Sequence, residues 1–269
     1  MGITQSQSQT LPAAGGPPVG AGLVNGYRPL PGVYDEMMQA DGAIRPVWNR
    51  FLGALDPLGS DQIAEAFDRA GRHLRDSGVF YRVYDDPAGG ERPWPLAPMP
   101  LILGPEEWAG LRAGVIQRAR LAEAILGDLY GEGTLVRDGL LPGAAVTGSP
   151  DFLRPLVGLQ PSGGRPLHLY AVDLGRGPDG SWWVLTDRTQ APSGAGYTLE
   201  NRLALNRALP DVARAMNVER LAAFFQTFRD ELARLNARAE ARVALRSPGP
   251  HNETYFAHAY LARYLGCLL

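Results

Sequence analysis

The sequence predicts an α/β chain of mixed α+β character, with helices outweighing strands and the two kinds interleaved. Three stretches carry that prediction. "PEEWAGLRAGVIQRARLAEAILGDLYG" is a long helix: Pro105 suits the first turn, Glu106 and Glu107 suit the positive end, and Gly131 suits the stop. Trp108, Leu111, Val115, Ala119, Ala122, Ile125 and Leu129 line one of its faces. "SDQIAEAFDRAGRHLRDSG" is a second helix, with Ser60 as cap, a stripe of Ile63, Phe67, Ala70 and Leu74, and Gly78 as stop. "LHLYAVDLGRGPDGSWWVLTDR" is a β-hairpin, two apolar strands joined at Gly-Pro-Asp-Gly.

The remaining elements follow in order. Residues 1–28 are rich in Gln, Ser, Pro and Gly and read as a disordered arm. Residues 29–269 read as helical over 34–131, a hairpin and loop site over 166–202, and helical over 197–269. "YDEMMQADGAIRPVWNRFLGAL" predicts a short helix, a turn at Asp41-Gly42 and a second helix from about Pro46. "VFYRVYDD" alternates as a strand does, while the prolines of "ERPWPLAPMPLILG" forbid regular structure throughout. "YTLENRLALNRALPDVARAM" is helical with a break at Pro210, and "NVERLAAFFQTFRDELARLNARA" is amphipathic. "RVALRSPG" is a short strand and turn, and "NETYFAHAYLARYLG" is a last helix with Asn252 as its cap. "AYLARYLGCLL" then reads as helix, glycine stop and the start of a strand. That is the middle of a unit, so a chain truncated at its C-terminus is expected; the alternative is an edge strand of a finished sheet.

The chain has 269 residues, 45% hydrophobic and 20% charged, enough to bury a core. Its net charge of −2 gives no basic field for nucleic acid or an anionic membrane. No apolar run approaches the ~20 residues that span a bilayer. The N-terminus has neither a basic start nor an apolar signal core. Cys267 is the one cysteine, so no intrachain disulfide exists and a reducing, cytoplasmic location is expected. All 26 basic side chains are arginine, which excludes a Schiff-base or Walker lysine within this chain.

The candidate chemistry gathers after the hairpin. Asp173 lies on the first strand, and Asp187 and Arg188 end the second. Pairing about Pro178-Asp179 sets Asp173 near Trp183 or Val184, with the two carboxylates about two strand spacings apart if the faces agree. Two carboxylates and an arginine suit a Mg²⁺–phosphate site, or an ordinary solvated strand end. The Pro-Ser-Gly-Ala-Gly loop that follows permits close backbone approach to an anion, with Tyr197-Thr198 opening a helix whose N-terminus favours phosphate, or it is a plain turn and helix cap. Glu200, Asn201 and Arg202 are consecutive on it, so at most two face one site. His251 and His258 are seven apart, too far for an i, i+4 metal pair.

In order along the chain, "YDEMMQADGAIRP", "LILGPEEWAGLRAGVIQRARLAEAILGDLYGEGTLVRDGLLP", "HLYAVDLGRGPDGSWWVLTDRTQAPSGAGYTLENR" and "NETYFAHAYLARYLG" resemble the circularly permuted type 2 ATP-grasp proteins. The resemblance covers about residues 30 to 269. It implies the N-terminal part of an ATP-grasp-like, circularly permuted fold over 29–269, with ATP and Mg²⁺ as cofactors. It also implies ligation of a small-molecule or peptide carboxylate to an amine, and an alpha-E helical domain as partner in cis or trans. In that pattern Asp173 and Asp187 are metal ligands. Arg188, Glu200 and Arg202 are catalytic, and Gln190, Ser193, Gly194, Asn201, Asn252 and Glu253 bind the nucleotide. Tyr197, Tyr255 and His258 match as well. The family's strand reads Val-Leu-Glu-Asp-Asn-Leu-Arg-Thr-Pro-Ser-Gly; here Thr186, Arg188 and Gln190 replace its Glu, Asn and Arg. The lost Glu and Asn are of the metal-binding type. Three readings stand: a ligase, a non-catalytic ATP-grasp-like module that binds a peptide or partner protein, and a structural module.

Overall fold

The computed structural model of the chain describes residues 22–82, 91–97, 99–235 and 242–269. The arm expected over 1–28 lies outside the described residues as far as residue 21. Residues 22–26 form turns, and the Tyr27 hydroxyl donates to the Asp35 carboxylate at 2.6 Å.

The short helix expected in "YDEMMQADG" is instead a tight antiparallel return. Met38 bridges Ile44, and Gly42 turns the chain at φ 85. Asp35 accepts from the Met37 and Met38 N–H groups and Asp41 from that of Ala43. Local carboxylates have taken the donors that a first helical turn would have used. The chain then enters α1 (Pro46–Leu55) at the expected proline.

Helix α2 (Ser60–Asp76) ends as expected before Gly78, but its N-cap is Gly59, and Ser60 is the first helical residue. Phe80–Arg82 (β1) pairs antiparallel with Glu91–Pro93 (β2). The rest of the strand expected in "VFYRVYDD" lies outside the described residues.

Helix α3 (Pro105–Leu129) has the expected bounds but not the expected burial: none of its residues is buried. Trp108, at the head of its apolar stripe, is exposed, and the others are half-buried. Short helices α4 (Thr134–Arg137) and α5 (Gly143–Thr147) follow in the loop-rich stretch.

The second hairpin is β3 (Ala171–Arg176) with β4 (Trp182–Arg188), antiparallel as predicted. After it come α6 (Ala195–Ala208) and α7 (Pro210–Met216), divided at Pro210, then α8 (Ala222–Arg234) and α9 (Tyr255–Leu265). The strand expected in "RVALRSPG" is reduced to one parallel bridge, Ala244 to Leu268.

The core is helical. Met37, Trp48, Phe51, Leu52, Leu55, Ala66, Ala70, Leu74 and Val79 pack with Tyr197, Ala204, Ala208 and Val212. A smaller cluster of Leu199, Phe225 and Leu265 joins α6, α8 and α9. Helix α6 therefore contributes to both clusters. Its approach to α9 is close: a Cβ at Gly196 would lie 2.7 Å from the Ala257 Cα and carbonyl oxygen, so only glycine fits.

The β3–β4 hairpin is fastened mainly by polar contacts. Arg176, 9% exposed in its side chain, pairs with Glu36 at 2.5 Å and with Glu107 of α3 at 2.7 Å. Its guanidinium lies over the rings of Tyr34 and Trp182. Trp182 also donates its indole N–H to Glu107 at 2.9 Å. Burial raises the Glu107 carboxyl, but hydrogen bonds from Arg176 and Trp182 and the charges of Arg176 and Arg45 overcome it and hold the group below its ordinary range.

Candidate functional site

A β-bulge decides the geometry of the hairpin's acidic end. Arg176 pairs with Trp182, Gly175 with Trp183 and Leu174 with Val184, but Asp173 pairs with Thr186 and Val172 with Asp187. Leu185 is the extra residue. The turn is centred on Asp179 rather than between Pro178 and Asp179, so the expected register is off by one, and the bulge shifts it once more. Strand side chains alternate between faces, so one inserted residue exchanges the faces of all that follow. Asp173, Thr186 and Arg188 fall on one face, and Asp187 falls on the other with Val172 and Tyr170.

The contacts follow that division. On the first face Arg188 donates Nε and Nη2 to Asp173 Oδ2, at 2.9 and 2.8 Å. On the second, Arg118 of α3 makes a two-pronged bond to Asp187, Nε to Oδ1 and Nη2 to Oδ2, both 2.7 Å. The Tyr170 hydroxyl donates to the same Oδ1. Hydrogen bonds from Arg118 and Tyr170 hold the Asp187 carboxyl below its usual range. The expected pair of facing carboxylates is thus corrected to two separate guanidinium–carboxylate pairs. No three His, Cys, Asp or Glu side chains converge as a metal set among the described residues. Asp173 and Asp187 do not fit a shared Mg²⁺, which needs its carboxylates on one side.

The loop after β4 is open to solvent at Gln190 and Ser193, while Gly194 takes φ 103 directly before α6. The first turn of α6 is not open: Gly196 and Tyr197 are buried, with Tyr197 stacked on Trp94 at 4.0 Å and donating to the Phe80 carbonyl. The helix start expected to face a phosphate is in contact with the core.

Three consecutive residues of α6 go to three different places. Glu200, 3% exposed, faces His73 of α2, whose Nε2 is 2.7 Å from its Oε1, and accepts from Tyr260 of α9. A carboxylate only accepts, so this contact is made by the His73 tautomer with its proton on Nε2. The Asn201 Oδ1 accepts from the Trp94 indole at 2.7 Å. Arg202 donates to the Glu219 carbonyl at 2.8 Å. Each of these contacts fastens α6 to a neighbour, and none reaches Asp173 or Asp187.

At the start of α9, Asn252 does not cap the helix. Its Oδ1 accepts from the N–H and hydroxyl of Thr254, which is itself the N-cap residue. Glu253 is exposed. His258 sits between Ser247, 3.1 Å from Nδ1, and Thr254, 3.3 Å from Nε2. Burial lowers its pKa. Cys267 is half-buried, and burial raises its thiol pKa, in keeping with a packing role.

Sequence reasoning missed Arg118, Tyr170, Trp94, His73 and Tyr260. Tyr170 shares the parity of Val172, but its side of the ribbon matches Asp187 only once the bulge is known. Arg118 carries no signal that separates it from the other arginines of α3.

No helix among the described residues is long and apolar enough to cross a membrane. The family model "Circularly permuted ATP-grasp type 2" matches residues 100–269. Uncharacterized protein Rv2567 of Mycobacterium tuberculosis is 35% identical over 245 residues, covering 87% of this chain and 28% of its own length. Uncharacterized protein Rv2411c of the same organism is 32% identical over 235 residues, covering 87% and 42%. Uncharacterized protein sll0335 of Synechocystis is 32% identical over 235 residues, covering 87% and 49%. The chain therefore spans less than half the length of these relatives. With the family pattern matched over most of its length, the chain belongs to the circularly permuted ATP-grasp type 2 family.

Proposed function

We propose that this domain works in an ATP-dependent carboxylate–amine ligase that forms an amide or peptide bond. The observation that carries this reading is the family match over 100–269, which includes the whole β3–β4, loop and α6 unit. In the proposed reaction an oxygen of the substrate carboxylate attacks the γ-phosphorus of ATP, and ADP leaves. The amine nitrogen then attacks the acyl carbon, the phosphate leaves, and the nitrogen loses a proton. The side chains offered to the nucleotide are Gln190 and Ser193, with the backbone at Gly194. Arg188 lies nearest that loop in sequence and would face the developing phosphate charge. Glu200, Asn201 and Arg202 act by fixing α6 rather than by touching the reacting atoms. The carboxylate and amine are small molecules or peptides, an alpha-E helical domain is the partner in cis or trans, and the compartment is the cytoplasm.

Calorimetric titration of ATP with Mg²⁺ into this chain, and into the Synechocystis relative at its full length, tests the reading. Binding by the longer protein, with ADP released when carboxylates and amines are supplied, supports it. A folded relative that binds no nucleotide overturns it.

A second reading, a non-catalytic module that binds a peptide or partner protein, is favoured by one observation. Both acidic residues of the strand end are already neutralised by arginine, on opposite faces. ATP turnover by the longer relative, lost in the variant that changes its counterpart of Asp187 to Asn, would overturn this second reading.

A further inference from the structure

The acidic end of the β3–β4 hairpin departs from what a divalent cation requires, and the departure has a cause in the chain. We infer that Asp173 and Asp187 form no joint metal site, and that Arg188 and Arg118 supply the positive charge there as built-in cations. The inference concerns the same strand end as the ligase reading but stands without it.

Three observations support it. The first is the bulge at Leu185, which sets Asp187 opposite Val172 while Asp173 stays opposite Thr186. Were Leu185 paired with Asp173 and the register unbroken, Asp187 would take the position opposite Ala171 and share the face of Asp173. The two carboxylates would then be diagonal neighbours, ~7–8 Å apart between backbones, within reach of one ion.

The second is that each carboxylate is already paired with an arginine. Both oxygens of Asp187 accept from Arg118, and Oδ1 accepts from Tyr170 as well. Asp173 Oδ2 accepts twice from Arg188. Charge-assisted bonds of this kind are about twice as strong as neutral ones. A metal would have to displace them and keep its own waters. The third is the nature of the replacement. A guanidinium keeps its charge at any pH a protein meets, so neutralisation here depends on neither pH nor metal supply.

The consequence is that any metal this chain uses is held elsewhere than between these two aspartates. Leu185, exposed and with no charge of its own, fixes the electrostatic character of the strand end by standing outside the pairing.

The test uses Mn²⁺ alone, without nucleotide, followed by the electron paramagnetic resonance of the free ion. It compares the unaltered chain with Asp173→Asn and Asp187→Asn, each checked for folding by circular dichroism. The expected result is three superimposed isotherms. One saturable Mn²⁺ per chain that is lost in either variant would overturn the inference.

A second arm uses Arg118→Gln combined with Arg188→Gln. With the arginines gone the carboxylates still face apart, so Mn²⁺ affinity stays that of the unaltered chain. A single site tightened tenfold or more would show that the two aspartates reach one cation, and would overturn the geometric argument. Because no ATP is present, failure of the ligase reading leaves this result unaffected.

Discussion

Glu200 and His73 lie 127 residues apart in sequence and 2.7 Å apart in space, joining α6 to α2, with Tyr260 of α9 on the same carboxylate. The Arg207 guanidinium completes the group, donating to the His73 Nδ1 at 3.1 Å. A buried carboxylate that joins three helices is a structural tie. Glu200→Ala leaves the His73 N–H and the Tyr260 hydroxyl without their acceptor, at a cost of about 1–3 kcal/mol. Glu200→Gln keeps one carbonyl oxygen and costs less. Urea unfolding of the two variants measures both. Equal stability of Glu200→Ala and the unaltered chain would exclude the tie.

Tyr260 makes the same cluster visible at high pH. Burial, then the hydrogen bond and charge of Glu200, raise its phenol to about 12 from an ordinary 10.0. The folded state holds this proton more tightly than the unfolded state, so the stability it contributes is complete below pH 10 and is lost as pH rises toward 12. Hydrogen bonds and burial also raise the phenols of Tyr27 and Tyr170, so ultraviolet titration of the phenolates is expected to show a late transition whose amplitude falls in Tyr260→Phe and part of which moves earlier in Glu200→Gln. A late transition of undiminished amplitude in Tyr260→Phe would assign it to other residues.

The contact between Gly196 and Ala257 allows a strict test of packing. The Cβ of Gly196→Ala meets backbone atoms of α9 at 2.7 Å, and backbone cannot rotate away. The expected cost is about 1–3 kcal/mol, read as a fall in melting temperature. Adding Ala257→Gly removes a side chain but not the clashing atoms, so it should not rescue the loss. Rescue would show that the helices can shift.

Arg176 governs how the hairpin sits. Arg176→Lys keeps the charge but loses the two-sided fork to Glu36 and Glu107 and the stacking on Tyr34 and Trp182. Both carboxylates are about a third exposed, so solvent screening limits the loss to about 1–2 kcal/mol. The Glu107 carboxyl is depressed in the folded state, so its contribution is present above its ordinary 4.5 and is lost as pH falls through its lowered value. In Arg176→Ala that acid dependence should shrink. Urea midpoints followed by tryptophan fluorescence between pH 3 and about pH 6 record both effects. An undiminished acid dependence would detach Glu107 from Arg176.

The helices were largely legible in the sequence because their signals are local. Pro46, Pro105 and Pro210 begin three of them, and Gly78, Gly131 and Gly266 close or follow three. The hairpin's turn was legible for the same reason. Its register was not, because a bulge has no sequence signature as plain as Gly-Pro-Asp-Gly. That single residue decided which face Asp187 occupies, and the expected acid pair failed with it. Burial of α3 was misread for a different reason: the stripe through Leu111, Val115, Ala122 and Ile125 is real, but a periodic pattern states a preference for cover without saying how much cover the fold provides. At Glu200 the sequence offered an acid on a helix. Only the fold shows that His73 and Tyr260 hold it.

The attachment of α3 to the hairpin differs in kind from the attachment of α6 to its neighbours. Glu107 and Arg118 lie eleven positions, about three turns, apart on α3. They pin it to the hairpin through Arg176 and Asp187. Half-exposed ion pairs weaken as the Debye length falls from ~10 Å at 0.1 M to ~3 Å at 1 M salt, whereas apolar contacts do not. Ionic strength and denaturant therefore act on different parts of this molecule. Molar salt should speed amide hydrogen exchange along β4 while Leu52, Leu55 and Val79 in the helical core keep their protection.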